Sequence, residues 1–187
     1  MNAIRKSLIA MGAALLIGIA SVGVLADPPS GSPVNNAQLA KRVRHELLML
    51  PYYGVFDNLA YSINGSTVTL YGQVVRPTTR SSAERVVKRL PGVARVINNI
   101  QVLPLSSFDD SVRAATYRSI ARTGGLYRYL LGANPSLHIV VNRGHVTLEG
   151  VVSGKGDRTL AYMAANRVPG VFSVTNNLRV EGEGELR

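Results

Sequence analysis

The 187-residue chain has no cysteine. That excludes a disulfide framework, and it excludes a lipid-attachment cysteine at the end of any leader segment. Acidic residues are scarce: 11 Asp and Glu stand against 21 Lys and Arg, for a net charge of +10. The groups that catalysis draws on are also sparse. His45-Glu46 starts like a zinc-protease helix, but position 49 is methionine where the second histidine would stand. His138 and His145 fall on one expected hairpin with no third ligand in view, and read as surface histidines rather than a metal site. There is no Gly-x-Ser-x-Gly elbow. Gly154-Lys155-Gly156-Asp157 lacks the spacing of a phosphate loop and reads as a turn with Asp157 capping a helix. No catalytic set, metal or cofactor is therefore expected, and enzyme chemistry is disfavoured.

What the chain does have is a repeat. Residues 59–102 match 137–180 without a gap, at a shift of 78, with 17 of 44 positions identical. Typical residue frequencies would give about two or three by chance. A repeat defines the unit that folds, so two small domains are expected.

Arg5 and Lys6 precede an apolar run from Leu8 to Leu25, and Val24-Leu25-Ala26 supplies a signal-peptidase site. A cleaved signal peptide over 1–26 is expected, giving a periplasmic protein. The alternative is an uncleaved helix anchored in the inner membrane, although alanine and glycine dilute the run. Removing Arg5 and Lys6 takes the net charge from +10 to +8. The rest of the charge is spread over both repeats. A basic balance attracts nucleic acid, anionic lipid or acidic glycan alike. An exported protein seldom meets nucleic acid, so anionic surfaces lead, with simple solubility as the bland reading.

Residues 27–35 form a Pro/Ser/Gly/Asn-rich flexible leader, 36–103 the first domain, 104–107 a linker, 108–180 the second domain and 181–187 a disordered tail. Leu39, Val43, Leu47 and Leu50 mark one helical stripe, ended by Pro51. Alternation over 59–63, Asn64-Gly65 and the Val68-Thr69-Leu70 run predict a hairpin. A helix from Pro77 to about Leu90 and a strand over 93–102 follow. In the second unit Asp109 or Asp110 is expected to cap a helix whose inner stripe is Val112, Thr116 and Ile120. Strands over 137–141 and 145–152, a helix over 157–168 and a strand over 172–180 complete it. Each unit reads helix–strand–strand–helix–strand. The fold class is α+β: two tandem domains, each with a three-stranded mixed sheet covered by two helices.

Gly72, Gly92, Gly150 and Gly170 recur at matched positions and read as backbone or packing devices. Asn98-Asn99 and Asn176-Asn177 suggest bonds to neighbouring backbone but no site.

Asn64-Gly65, Val68-Thr69-Leu70, Gly72, Pro91-Gly92-Val93, Val96 and Asn98-Asn99 carry a family resemblance. So do their counterparts Gly144, Val146-Thr147-Leu148, Gly150, Pro169-Gly170-Val171, Val174 and Asn176-Asn177. Each unit resembles a BON domain, and the chain is similar to the osmotically inducible periplasmic protein family. The resemblance implies a non-enzymatic envelope protein that binds phospholipid surfaces and supports envelope integrity and osmotic stress tolerance. Some dual-BON relatives are lipoproteins, and this chain lacks the cysteine for that.

The expected lipid-binding surface is Arg113, Tyr117, Arg118, Arg122, Tyr127, Arg128 and Tyr129. Tyrosine suits a membrane interface, and arginine pairs with phosphate. The expected partner is an anionic phospholipid membrane surface. The alternative is a protein-interaction or scaffold module for an envelope assembly or secretion complex.

Overall fold

The computed structural model describes residues 36–182; the expected signal peptide and leader lie outside them, as does all but the start of the expected tail. Each repeat forms one two-layer unit. In the first, α1 (Asn36–Leu48) leads into a hairpin of β1 (Asn58–Asn64) and β2 (Thr67–Val74). Then come α2 (Pro77–Lys88), β3 (Arg95–Asn98) and β4 (Gln101–Val102). The second unit repeats the order as α3 (Ser107–Ala121), β5 (Leu137–Asn142), β6 (His145–Val152), α4 (Lys155–Asn166), β7 (Ser173–Asn176) and β8 (Arg179–Val180).

The hairpins are antiparallel, and the strands returning after the crossover helices pair parallel to β2 and β6. A strand–helix–strand crossover within one sheet produces that pairing. The expected last strand is split in each unit, and both pieces pair with the same neighbour. The asparagines cause the break. Asn98 accepts the Ile100 N–H and donates to the Arg80 carbonyl on α2. Asn176 accepts the Leu178 N–H and donates to the Arg158 carbonyl. A side chain thus takes over a ladder bond and pins helix to sheet.

Alternation along β2 sends Val68, Leu70 and Val74 inward, where Leu39, Val43, Leu47, Ala83 and Val87 from the two helices meet them. The second core assembles the equivalent Val146, Leu148 and Val152 with Val112, Ile120, Ala161 and Ala165. Gly72 and Gly150 answer to sterics. A Cβ at either would lie 2.0 Å from a backbone carbonyl, of Asn58 and Ser136 respectively. Both also sit at positive φ, +116° and +119°.

Three cap and turn expectations need correction. Ser106, not Asp109 or Asp110, caps α3, its hydroxyl accepting the Asp109 N–H. Gly154 precedes α4, leaving Asp157 inside the first turn. The turn linking β1 to β2 is Gly65-Ser66, one residue later than Asn64-Gly65.

The units touch through the segment after α1. The Val55 carbonyl accepts from Ile139 N–H at the edge of β5, and Val55 and Phe56 pack onto the second core. The first repeat therefore supplies part of the second repeat's hydrophobic seal.

Candidate functional site

Helix α3 and the 3₁₀ turn Leu126–Leu130 after it carry the expected surface, and the structure divides its residues. Arg113 is 3% exposed, so it cannot be presented to a lipid surface as expected. Its guanidinium donates to the Val141 carbonyl and to Asp110. It sits on the stripe Asp109–Val112–Arg113–Thr116–Ile120, all buried. Tyr129 is 7% exposed and also leaves the surface set. Its hydroxyl donates to Asp157 at 2.6 Å and accepts the Ser153 N–H at 2.9 Å. Arg128 is open to solvent but occupied, paired with Asp157 at 2.7 Å and bonded to the Tyr129 hydroxyl. The bond to the Tyr129 hydroxyl first, and then the Asp157 carboxylate, hold Arg128 above the ordinary arginine pKa.

Arg118, Arg122 and Tyr127 are exposed, and Tyr117 is half-buried with its ring edge-on to Phe56 at 6.3 Å. Arg122, the C-cap of α3, stands one turn after Arg118, its backbone N–H bonded to the Arg118 carbonyl. They border a groove of about 390 Å³ whose far side is Arg167, Val168 and Pro169 at the end of α4. Among the described residues no ion pair links Arg118, Arg122 or Arg167 to an acid. A second groove of about 480 Å³ runs along the junction of the repeats. Val55, Phe56, Tyr117, Leu130, Ala133 and Pro135 line it, and Arg118 belongs to both grooves. The sequence reading missed Arg167 because it lies far from α3 in the chain, on the segment after α4.

It also missed two aromatics. Phe108 and Phe172 stack at 5.9 Å near the β5–β6 turn, 46% and 68% exposed, with His145 edge-on to Phe172. Position 172 corresponds to Ala94 in the first repeat, and that difference was the available signal.

The two histidines of the expected hairpin-surface pair separate. His145 is exposed beside Ser173, whereas His138 is buried at the junction. The His138 Nδ1 lies 3.2 Å from the Gly54 carbonyl, and Nε2 lies 3.4 Å from the Tyr53 hydroxyl. A carbonyl only accepts, so Nδ1 carries the hydrogen and Nε2 accepts from Tyr53. Burial pushes His138 below the usual histidine pKa and pushes Tyr53 up to about 12. Asp57, accepting the Val75 and Gly54 N–H groups, is raised chiefly by desolvation. No cluster of three or more His, Cys, Asp or Glu with metal-holding geometry occurs among the described residues.

Fold and surface together define a tandem two-layer α+β protein whose distinguishing features are a cationic face and an interdomain groove. A family model for the BON domain matches residues 35–104 and 109–182, and the chain belongs to the BON-domain family. BON domains are non-catalytic binding modules of periplasmic and envelope proteins. No helix among the described residues is long and apolar enough to cross a membrane. No curated protein matches the chain. Among solved structures, the chain is similar to the C-terminal domain of CdsD, the structural protein of the type III secretion system of Chlamydia trachomatis. That match has 12% identity, a TM-score of 0.32 and coverage of 76% of this chain and 96% of that one. A second structure of CdsD gives 13% identity, a TM-score of 0.28 and coverage of 79% and 95%. At such scores the likeness bears on neither mechanism nor partner.

Proposed function

We propose that this is an exported, non-catalytic envelope protein that binds anionic phospholipid surfaces peripherally and so supports envelope integrity under osmotic stress. The observation that carries the reading is the face of Arg118, Arg122 and Arg167: three cations around one groove, with no acid among the described residues paired to them. Tyr117, half-buried, lines the adjoining groove beside Arg118, and Tyr127 is an exposed amphipathic ring on the turn after α3. Arg128 contributes less, because Asp157 already neutralises it. Arg113 and Tyr129 act as structural supports behind this face. Each cation near an anionic surface contributes about 1 kcal/mol, so the set supports reversible binding without insertion. No step of this reading requires a cofactor or a chemical reaction.

Vesicle co-sedimentation tests it. Binding is expected to anionic but not neutral vesicles, to fall as salt rises, and to weaken by about fivefold for each of Arg118→Gln and Arg122→Gln. Equal, salt-insensitive binding to both vesicle types would overturn the electrostatic mechanism.

A further inference from the structure

The cationic groove and the apolar groove share a wall. Arg118 lines both, so a single ligand could span from one to the other. On one side of it stand Arg122 and Arg167, with the hydroxyl-bearing Ser119 and Thr123 between them. On the other the lining turns apolar: Val55, Phe56, Tyr117, Leu130 and Pro135. The polarity of the surface therefore changes abruptly across one side chain. A flat membrane surface would use the cations but has no need of a groove of about 480 Å³ beside them. That volume falls within the ~300–1,000 Å³ typical of small-molecule sites.

We infer that the two grooves form one site for a single-chain anionic phospholipid, its phosphate among Arg118, Arg122 and Arg167 and its acyl chain along the apolar groove. Arginine suits the head, since its planar fork donates two parallel bonds to a phosphate. The aliphatic and aromatic lining suits the chain, and the driving force there grows with every methylene removed from water. The first repeat is needed as much as the second, because Val55 and Phe56 form one wall. The inference rests on the anionic-lipid reading and adds to it a monomeric ligand with a defined seat.

The test uses the whole mature protein and monomeric octyl, nonyl and decyl phosphate below their micelle concentrations, with inorganic phosphate as the chain-free headgroup control. Affinity is expected to tighten about fourfold per added methylene, and inorganic phosphate to bind far more weakly than any of the three. Methyl shifts should report from Val55 and Leu130. Ala133→Trp, which fills the apolar groove, should abolish the chain-length increment while leaving the phosphate contact. Arg122→Gln with Arg167→Gln should weaken the whole series in parallel. Equal affinity across the series, or shifts confined outside both grooves, overturns the site. Anionic vesicles sedimented in parallel separate the two readings. A flat series with intact vesicle binding removes the site and spares surface binding, whereas loss of both removes both.

Discussion

Asp109 holds the tip of the second hairpin, and its removal has a calculable cost. Its carboxylate accepts the Arg143 N–H and the Gly144 N–H, each at 2.8 Å. Both turn residues have positive φ, +53° and +78°, as a type I′ turn requires. Arginine disfavours that region by about 1 kcal/mol or more, so something must hold it there, and the carboxylate does. In Asp109→Ala the Gly144 N–H remains buried and unpaired, at about 1–3 kcal/mol, while the exposed Arg143 N–H recovers water at smaller cost. The expected destabilisation is about 2–4 kcal/mol. Urea unfolding would register it as a fall in midpoint of about 1–2 M at an m-value typical of a small protein. Arg143→Gly removes the left-handed penalty and should stabilise the wild type by about 0.4–1 kcal/mol. Asp109 bonds residue 143 directly, so the double variant should lose less than the sum of the two effects predicts, because glycine needs no carboxylate to hold it at positive φ. A loss below about 0.5 kcal/mol for Asp109→Ala would refute the assignment of the turn to this carboxylate.

Other expectations follow from the same geometry. Gly72→Ala and Gly150→Ala each place a methyl 2.0 Å from a carbonyl oxygen at positive φ, so each should cost about 3–5 kcal/mol in chemical denaturation. Arg113→Met keeps the bulk of a buried cation whose Nε has no hydrogen-bond partner but strips the buried Val141 carbonyl of its donor, so it should cost about 1–3 kcal/mol while leaving vesicle binding of the folded variant unchanged. A marked loss of lipid binding in a folded Arg113→Met would return that residue to the surface set. His138 has a folded pKa below its unfolded value of about 6.5, so its contribution is complete above that pH and is lost as pH falls from there through the folded pKa. Asp57, raised in the fold chiefly by desolvation, acts oppositely at lower pH, its contribution being lost as pH rises from the ordinary aspartate range through its folded pKa. Denaturation at pH 7.5 and 5.5 should therefore show wild-type stability dropping relative to His138→Phe; an identical pH response in the two proteins would remove the histidine from the junction's energetics.

The elements were legible because their signals are local and doubled. The stripe Leu39–Val43–Leu47 and the alternation Val68–Leu70 each fix one face, and the repeat confirmed the phase of the second. Parallel pairing followed from the crossover rule. The site was less legible because side-chain charge is no reliable marker of exposure. Arg113 stands four residues after Asp109 and three before Thr116, inside the buried stripe, and only its tertiary acceptors, Val141 and Asp110, make that position tolerable. The Ser106-x-x-Asp109 spacing did carry a capping signal, but the aspartate's own use depended on a hairpin 34 residues away. Arg167 and the grooves belong to packing between segments distant in sequence, and no periodicity encodes them.

The two repeats meet one backbone need by different means, and the difference explains where the junction groove arises. The N–H that follows β2 in the first unit, Val75, is taken by the Asp57 carboxylate. Its counterpart 78 residues on, Ser153, is taken by the Tyr129 hydroxyl. Tyr129 comes from the short 3₁₀ turn Leu126–Leu130, present only in the longer helix–strand connection of the second unit. Asp57 instead folds its own connection back on itself through the Gly54 N–H, and so presents Val55 and Phe56 to the neighbouring core. The 3₁₀ turn supplies Leu130 to one side of the groove, and the Asp57-held loop supplies Val55 and Phe56 to the other. The hairpin is the same in both copies; the divergent connections before it create a surface that neither copy could form alone.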